Sequence, residues 1–393
     1  MKIIEVQSPK DVTEFLQLPV RLYKNEPHWI RPIDKDVEDV FHAETNKFFR
    51  HGECTRWIIQ DSEGITIGRV AAFINNKTRK EKNSEGQQLE VGGMGFFESI
   101  EDKKIAFQLF DIAKNWLTKR GINTMEGPIN FGERDNWWGL LTEGHEIDPN
   151  YKMPWTFPYY QKYFEDYGFQ VYFKQLTFGR LVNAPLKPQY LEQAERLFAD
   201  PKFEFKKLNM SKLEQFTEDF RIIYNKAWVK HAGVKGMTSL QAKSIMKQMK
   251  PILDPDIVYF AYYNNEPVAF FLNLPEVNQI FRFLNGKLDW IGKLKFLYHK
   301  FARTNKKMVG RGFGIIPEFQ SRGVVAGIVE YCRRVVQDEI RGRYIDYEMN
   351  WIGDFNPKMV KVASTIGDVV KTHTTYRKML DEDLKFERCK IID

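Results

Sequence analysis

Cysteine is scarce: three in 393 residues, Cys54, Cys332 and Cys389, widely spaced and without a CxxC pair. This excludes a disulfide framework and a cysteine-built zinc site, so no metal is expected and a reducing cytosol is the natural setting. Long apolar runs are also missing. No uninterrupted apolar stretch nears the roughly 18 residues of a membrane-spanning helix, and the mean hydropathy is −0.47. Residues Met1 to Pro9 hold no apolar core, so no secretory signal is expected. With 43% hydrophobic and 28% charged residues, the composition is neither disordered, collagen-like nor coiled-coil.

What is present points to two globular units, since a domain takes roughly 100 to 200 residues. The formal charge is +7, from 59 Lys+Arg against 52 Asp+Glu. It is not spread evenly. Between Phe281 and Lys307 lie eight cations (Arg282, Lys287, Lys293, Lys295, Lys300, Arg303, Lys306 and Lys307) and one anion, Asp289, so this segment carries the whole excess. Trp290, Ile291, Leu294, Leu297, Tyr298 and Phe301 recur there at helical spacing, with Lys293, Lys295, His299, Lys300 and Arg303 opposite and Phe296 as the apolar exception. A basic amphipathic helix with this face fits a segment lying on an anionic membrane, the inner face for a cytoplasmic protein. The same stripe would also serve an ordinary helix covering a core. Nucleic acid is not expected as a partner, because no basic patch elsewhere extends the footprint.

The chain divides into 1–195 and 196–393, each with the same order of elements. In the first, apolar periodicity predicts helices at Lys10 to Tyr23, Lys103 to Arg120 and Tyr159 to Tyr167, with strands at Cys54 to Gln60, Thr66 to Asn75, Val91 to Phe97 and Asn123 to Gly127. A short helix at Tyr190 to Ala199 follows. The second predicts helices at Lys212 to Val229, Ser239 to Met249, Gly323 to Asp338 and Pro357 to Ile366. Its strands fall at Ile257 to Tyr263, Val268 to Leu274, Arg311 to Ile316, Tyr344 to Trp351 and Thr372 to Leu380. Alternating helices and strands make each half an α/β unit, a mixed, mostly antiparallel sheet flanked by helices.

At Ile315 and Ile316 a strand ends, a turn carries Gln320, Ser321, Arg322 and Gly323, and a helix opens with Val324 and Val325. Free N–H groups at such a helix start, with an arginine beside them, suit a phosphate. The stretch resembles the pyrophosphate loop of the GNAT acyltransferases, Gln/Arg-x-x-Gly-x-Gly/Ala, with Val325 where the family has Gly or Ala. The resemblance covers almost the whole chain. It implies tandem GNAT-like domains and acyl-CoA or acetyl-CoA as co-substrate, an acyl-thioester donor and an amine acceptor. Asn356 and Gly367 match a later family signature, whereas Ala363 stands where a proton-donating tyrosine is usual. In the first half the loop reads Glu98-Ser99-Ile100-Glu101-Asp102, whose carboxylates repel pyrophosphate, so that copy is degenerate. The stretches Asn46 to Glu53, Glu126 to Gly132 and Glu348 to Asn356 are similar to a bacterial subgroup that includes the ceramide synthases, which acylate sphingoid bases.

Amine acylation needs a proton acceptor for the incoming ammonium and charge relief at the tetrahedral intermediate. Asp346, Glu348 and Asn350 alternate on one face of a strand that adjoins the thioester in the family fold, and Glu348 is the candidate base. The resemblance implies a backbone N–H near Ile315 or Ile316 for the carbonyl oxygen. Asn356 and Tyr376 complete the catalytic candidates, Tyr376 as proton donor to the thiolate, with His51 and His373 behind them. The membrane-facing candidates are Trp290, Lys293, Leu294, Leu297 and Phe301. An acetyl-transferase of small amines and a non-catalytic binding module remain as other readings.

Overall fold

The computed structural model describes residues 1–228 and 236–392. In chain order the strands are β1 (Lys2–Glu5), β2 (Gly52–Gln60), β3 (Thr66–Asn75), β4 (Lys80–Lys82), β5 (Gln88–Ser99), β6 (Thr124–Gly127), β7 (Leu140–Glu143), β8 (Gln170–Leu181), β9 (Phe203–Lys207), β10 (Val258–Tyr263), β11 (Glu266–Pro275), β12 (Lys307–Ile315), β13 (Asp346–Gly353) and β14 (Asp368–Met379). The helices are α1 (Pro9–Leu22), α2 (Asp34–Phe41), α3 (Lys103–Thr118), α4 (Tyr159–Asp166), α5 (Pro188–Ala199), α6 (Leu213–Trp228), α7 (Ser239–Met249), α8 (Asn278–Phe281), α9 (Trp290–Phe301), α10 (Val324–Arg334) and α11 (Pro357–Ile366). The expected end of α6 at Val229 lies outside the described residues.

Local chemistry places these elements. Ser8 and Asp11 close a reciprocal capping box at the start of α1. Ile105, Leu109, Ala113 and Leu117, spaced by four, bury one face of α3. The hairpin between β10 and β11 turns at Asn264 and Asn265, both at positive φ, a region asparagine tolerates better than most residues.

The strands join into one mixed sheet in the order β1-β2-β3-β5-β6-β14-β8-β13-β12-β11-β10-β9, with β4 on β5 and β7 on β14. The pairs are antiparallel except β5 with β6 and β12 with β13. Chain order and sheet order cross in the middle. The C-terminal strand β14 lies between β6 and β8, and β8 in turn separates β14 from β13. Each half therefore lends a long strand to the junction. Two large apolar cores flank it, one around α3 and α4, the other around α6 and α10.

Candidate functional site

The parallel pair β12 and β13 runs in register only from Lys307 opposite Asp346 to Gly310 opposite Met349. Beyond Gly310 the strands part, and a cleft of about 400 Å³ opens between them. Phe271 and Tyr347 line it from the sheet, Val325 and Val329 from α10, and Val362 and Ala363 from α11. On the other side of β12, Leu272 pairs with Gly312 and Asn273 with Gly310, so Arg311 is the extra residue of a bulge. A bulge leaves backbone groups outside the ladder. Here these groups sit at the mouth of the cleft, in a stretch where β13 offers no partner. Ile316, by contrast, has its N–H committed to the carbonyl of Val268 at 3.0 Å. Of the two expected oxyanion donors this leaves Ile315, while Gly310, Arg311, Gly312 and Phe313 line the opening.

The strand-to-helix turn follows directly. Gln320 is held by its side-chain amide, which donates to the carbonyl of Ile315 at 3.2 Å. Ser321 and Arg322 are exposed, and the Arg322 guanidinium rests over the Phe319 ring at 4.7 Å without forming an ion pair among the described residues. Gly323 takes φ +77° as the N-cap of α10, a left-handed conformation that suits glycine. No side chain caps that helix, so its first N–H groups are open to a ligand. Val324 turns into the core, fully buried.

The matching turn in the first half differs in its charges. Asp102 caps α3 itself, accepting the N–H of Lys104 at 2.7 Å, and Glu98 is bound to Arg69 at 2.6 Å. A carboxylate already occupies the place a phosphate would take.

Glu348 is not free to act as a base. Its carboxylate, 4% exposed, accepts from Lys307 Nζ at 2.5 Å, Lys371 Nζ at 2.6 Å and Asn150 Nδ2 at 2.8 Å. Burial pushes its pKa up, but Lys371 and Lys307 outweigh burial and hold it below the usual carboxylate value. Burial also pulls the Lys371 ammonium down, against the attraction of Glu348. Beside this group Glu276 accepts the N–H groups of Tyr151 and Asn278, at 2.9 and 2.8 Å. Asn150 and Tyr151 belong to the first half and Glu348 to the second. The cluster ties the halves together, which corrects the reading of Glu348 as a proton acceptor.

The other catalytic candidates are scattered. Tyr376 packs 5.4 Å from Phe164 in the core of the first half, 1% exposed, and does not line the cleft. That rules it out as a donor at a thiolate held there. Asn356 caps α11 through the N–H of Met359 at 3.2 Å. His51 Nδ1 meets Asn75 Oδ1 at 2.9 Å. His373 is fully buried, with Nε2 2.9 Å from the carbonyl of Pro154, and burial lowers its pKa to about 4.

Sequence reasoning missed Tyr347. Its hydroxyl is buried without a hydrogen-bond partner, it lines the cleft, and a Cβ added at Gly310 would meet it at 2.6 Å. Burial keeps it protonated well above the ordinary tyrosine value. The signal available was the glycine pair around Arg311, which marks a close approach, but a tyrosine inside an apolar strand reads as core. Arg134 and Asp135, from a loop of the first half, also reach the cleft wall, with Asp135 3.5 Å from Arg311.

The basic segment docks on an unexpected side. Phe296, the exception on the cationic face, packs 6.0 Å from Phe281, and Gly292 is buried. The apolar stripe points away from the protein: Trp290 is 71% exposed, Leu294 58%, Tyr298 69% and Phe301 79%. Lys287, Lys293, Lys295 and Arg303 form no ion pair among the described residues and are exposed around it.

No family model matches the chain. It is 25% identical over 382 residues to a bacterial ceramide synthase of Caulobacter vibrioides, covering 97% of this chain and 98% of that protein. It is 24% identical over 376 residues to Protein YghO of Escherichia coli, covering 94% and 93%. Among solved structures it matches a tandem GNAT protein from the clavulanic acid biosynthesis pathway, TM-score 0.50 at 8% identity, over 97% of this chain and 99% of that one. It also matches the glucosamine N-acetyltransferase region of a fungal multi-domain β-N-acetylglucosaminidase, TM-score 0.51 at 10% identity, over 96% of this chain and 38% of that one. The fold of the chain is thus the tandem GNAT fold.

Proposed function

We propose that this chain, a tandem GNAT-like N-acyltransferase, moves an acyl group from a coenzyme A or carrier-bound thioester to the amine of a lipid-like acceptor such as a sphingoid base. The observation that carries the reading is the contrast between the two helix starts. α10 opens uncapped behind Gly323 beside Arg322, which has no ion pair among the described residues, whereas Asp102 fills the equivalent place on α3. Pyrophosphate would lie on the N–H groups at 323–325 with Arg322 over it, and the pantetheine arm would run down the apolar cleft toward Gly310.

At the apex of the cleft the residues take distinct tasks. The 311–313 backbone donates to the carbonyl oxygen as it gains charge. The amine forms the new C–N bond, the C–S bond breaks, and the thiolate takes a hydrogen bond from Tyr347, in place of the tyrosine that Ala363 does not supply. The carboxylate on the cleft wall is Asp135, largely exposed and held only by a long 3.5 Å contact to Arg311, and it receives the ammonium proton directly or through water. The exposed stripe of α9, ringed by lysines, supports a membrane-borne substrate, as does the name of the Caulobacter relative.

Ligand stabilisation tests the donor site. A saturating acyl-CoA at about 100 times its Kd should add about 2.7 kcal/mol to unfolding. Arg322→Glu removes a charge-assisted contact worth about 1.5–3 kcal/mol and should weaken binding by about 10- to 100-fold. No stabilisation of the unaltered chain by acetyl-CoA, palmitoyl-CoA or CoA would refute the assignment.

A further inference from the structure

The stretch Glu126 to Gly132 has no part in the reaction above, yet it walls a second cavity, in the first half. β5 and β6 pair only from Val91 opposite Thr124 to Gly93 opposite Glu126, and where they part a space of about 430 Å³ opens. Its walls are unlike those of the donor cleft. Phe48, Phe73 and Phe131 give an apolar side. Asn130 and Trp138 give a polar one, 3% and 7% exposed, and both Asn130 Oδ1 and Trp138 Nε1 are buried without a partner. A buried polar atom left unmet costs about 1–3 kcal/mol, so the pair calls for one donor and one acceptor from a ligand.

The carboxylates around this space are matched by cations. Glu126 and Glu81 both line it and share the single guanidinium of Arg377, which Tyr172 backs at 3.7 Å. Glu133 is engaged by Lys47 at 2.6 Å. Arg134, which also lines the space and forms no ion pair among the described residues, offsets the carboxylate left in excess at Arg377, so Asp135, at the donor-cleft end, is the carboxylate that would meet an ammonium. The cavity does not end blindly, since Arg134 and Asp135 line both it and the donor cleft.

We propose that this cavity is the acceptor site, and that it takes an amine carrying hydroxyl groups, the head of a long-chain amino alcohol. The nitrogen points to Asp135 and the donor cleft, one hydroxyl donates to Asn130 Oδ1, another accepts from Trp138 Nε1, and the first carbons lie on the phenylalanine rings. This rests on the acyltransferase reading, and the experiment separates the two.

Titrate the intact chain calorimetrically, without acyl donor, with a short-chain aminodiol and with its N-acetylated, uncharged counterpart. The aminodiol should bind and the N-acetyl form should bind at least tenfold more weakly. Trp138→Phe keeps the ring and loses only the N–H, and Asn130→Ala removes the other partner. Each should raise the aminodiol Kd about three- to tenfold, the range of one neutral hydrogen bond, while leaving stabilisation by acyl-CoA unchanged. No aminodiol binding, equal binding of the two ligands, or unaltered affinity in both variants overturns the acceptor site. Absence of acyl-CoA stabilisation in the unaltered chain overturns the acyltransferase reading instead.

Discussion

Replacing Glu348 by glutamine distinguishes a tie between the halves from a catalytic base, because the two roles fail in different ways. The substitution keeps shape and removes one negative charge from between two buried ammonium groups, Lys307 and Lys371, which are 5% and 1% exposed. Stranding a charge by removing its buried partner costs about 3–5 kcal/mol. Urea unfolding followed by tryptophan fluorescence should therefore show Glu348→Gln less stable by about that amount at neutral pH, while acyl transfer per folded molecule falls far less than the loss of a base would require. The difference also depends on pH. Because the folded carboxyl titrates below its unfolded value of about 4.3, its contribution is complete above that value and is lost as pH falls through the lower, folded pKa. The gap between the two proteins should shrink in acid. Adding Lys371→Met removes one of the two stranded ammonium groups and should recover part of the loss, since apolar replacement of buried ionic partners is often close to neutral. A Glu348→Gln protein as stable as the original but without transfer would refute the reasoning and restore the base.

Tyr347→Phe should lower kcat by about 100-fold, the low end of general acid effects, with acyl-CoA stabilisation unchanged, and steady-state kinetics beside a thermal shift checks both. His373 is kept neutral by burial, with its pKa brought from 6.5 to about 4. Its unfolded form binds more protons in that window, so stability should fall by about 3 kcal/mol from pH 6.5 to 4, at 1.36 kcal/mol per unit, and His373→Gln should flatten that part of the profile. Pelleting with anionic vesicles should occur, weaken with salt and vanish in Trp290→Glu with Lys293→Glu, whereas binding unchanged by both substitutions would refute the interfacial helix.

The fold was legible wherever one period dominated. The amphipathic helices α1, α3, α10 and α11 and the strands β2, β3, β10 and β11 fall within a few residues of expectation, because each buries a regular face. The unrecognised β8 explains the other case. Gln170 to Leu181 mixes Gln175 and Thr177 into its buried positions, between β14 and β13, which pair along it on either side. β14 itself buries Lys371, Thr372, His373, Thr374 and Thr375, which find partners in Glu348, Glu143, Pro154, Thr142 and Gln175, with His373 Nδ1 left unmet. A strand satisfied by such distant partners shows no pattern within its own stretch of sequence.

The same distinction governs the site. Gln320 to Gly323 stands out in the sequence because a turn of this kind is local: one glycine at positive φ, one exposed arginine and one uncapped helix start lie within five residues. Glu348 does not, because its surroundings come from Lys307, Lys371 and Asn150, the last nearly 200 positions away. A carboxylate on the right strand looks the same whether solvent or two ammonium groups face it. Tyr347 and the Asn130 and Trp138 pair lay hidden for the opposite reason, an absent partner, which only three-dimensional packing reveals. In this chain, then, the proposed donor site rests on residues whose chemistry is complete within a turn, and the proposed acceptor site on polar atoms that the fold leaves without a partner.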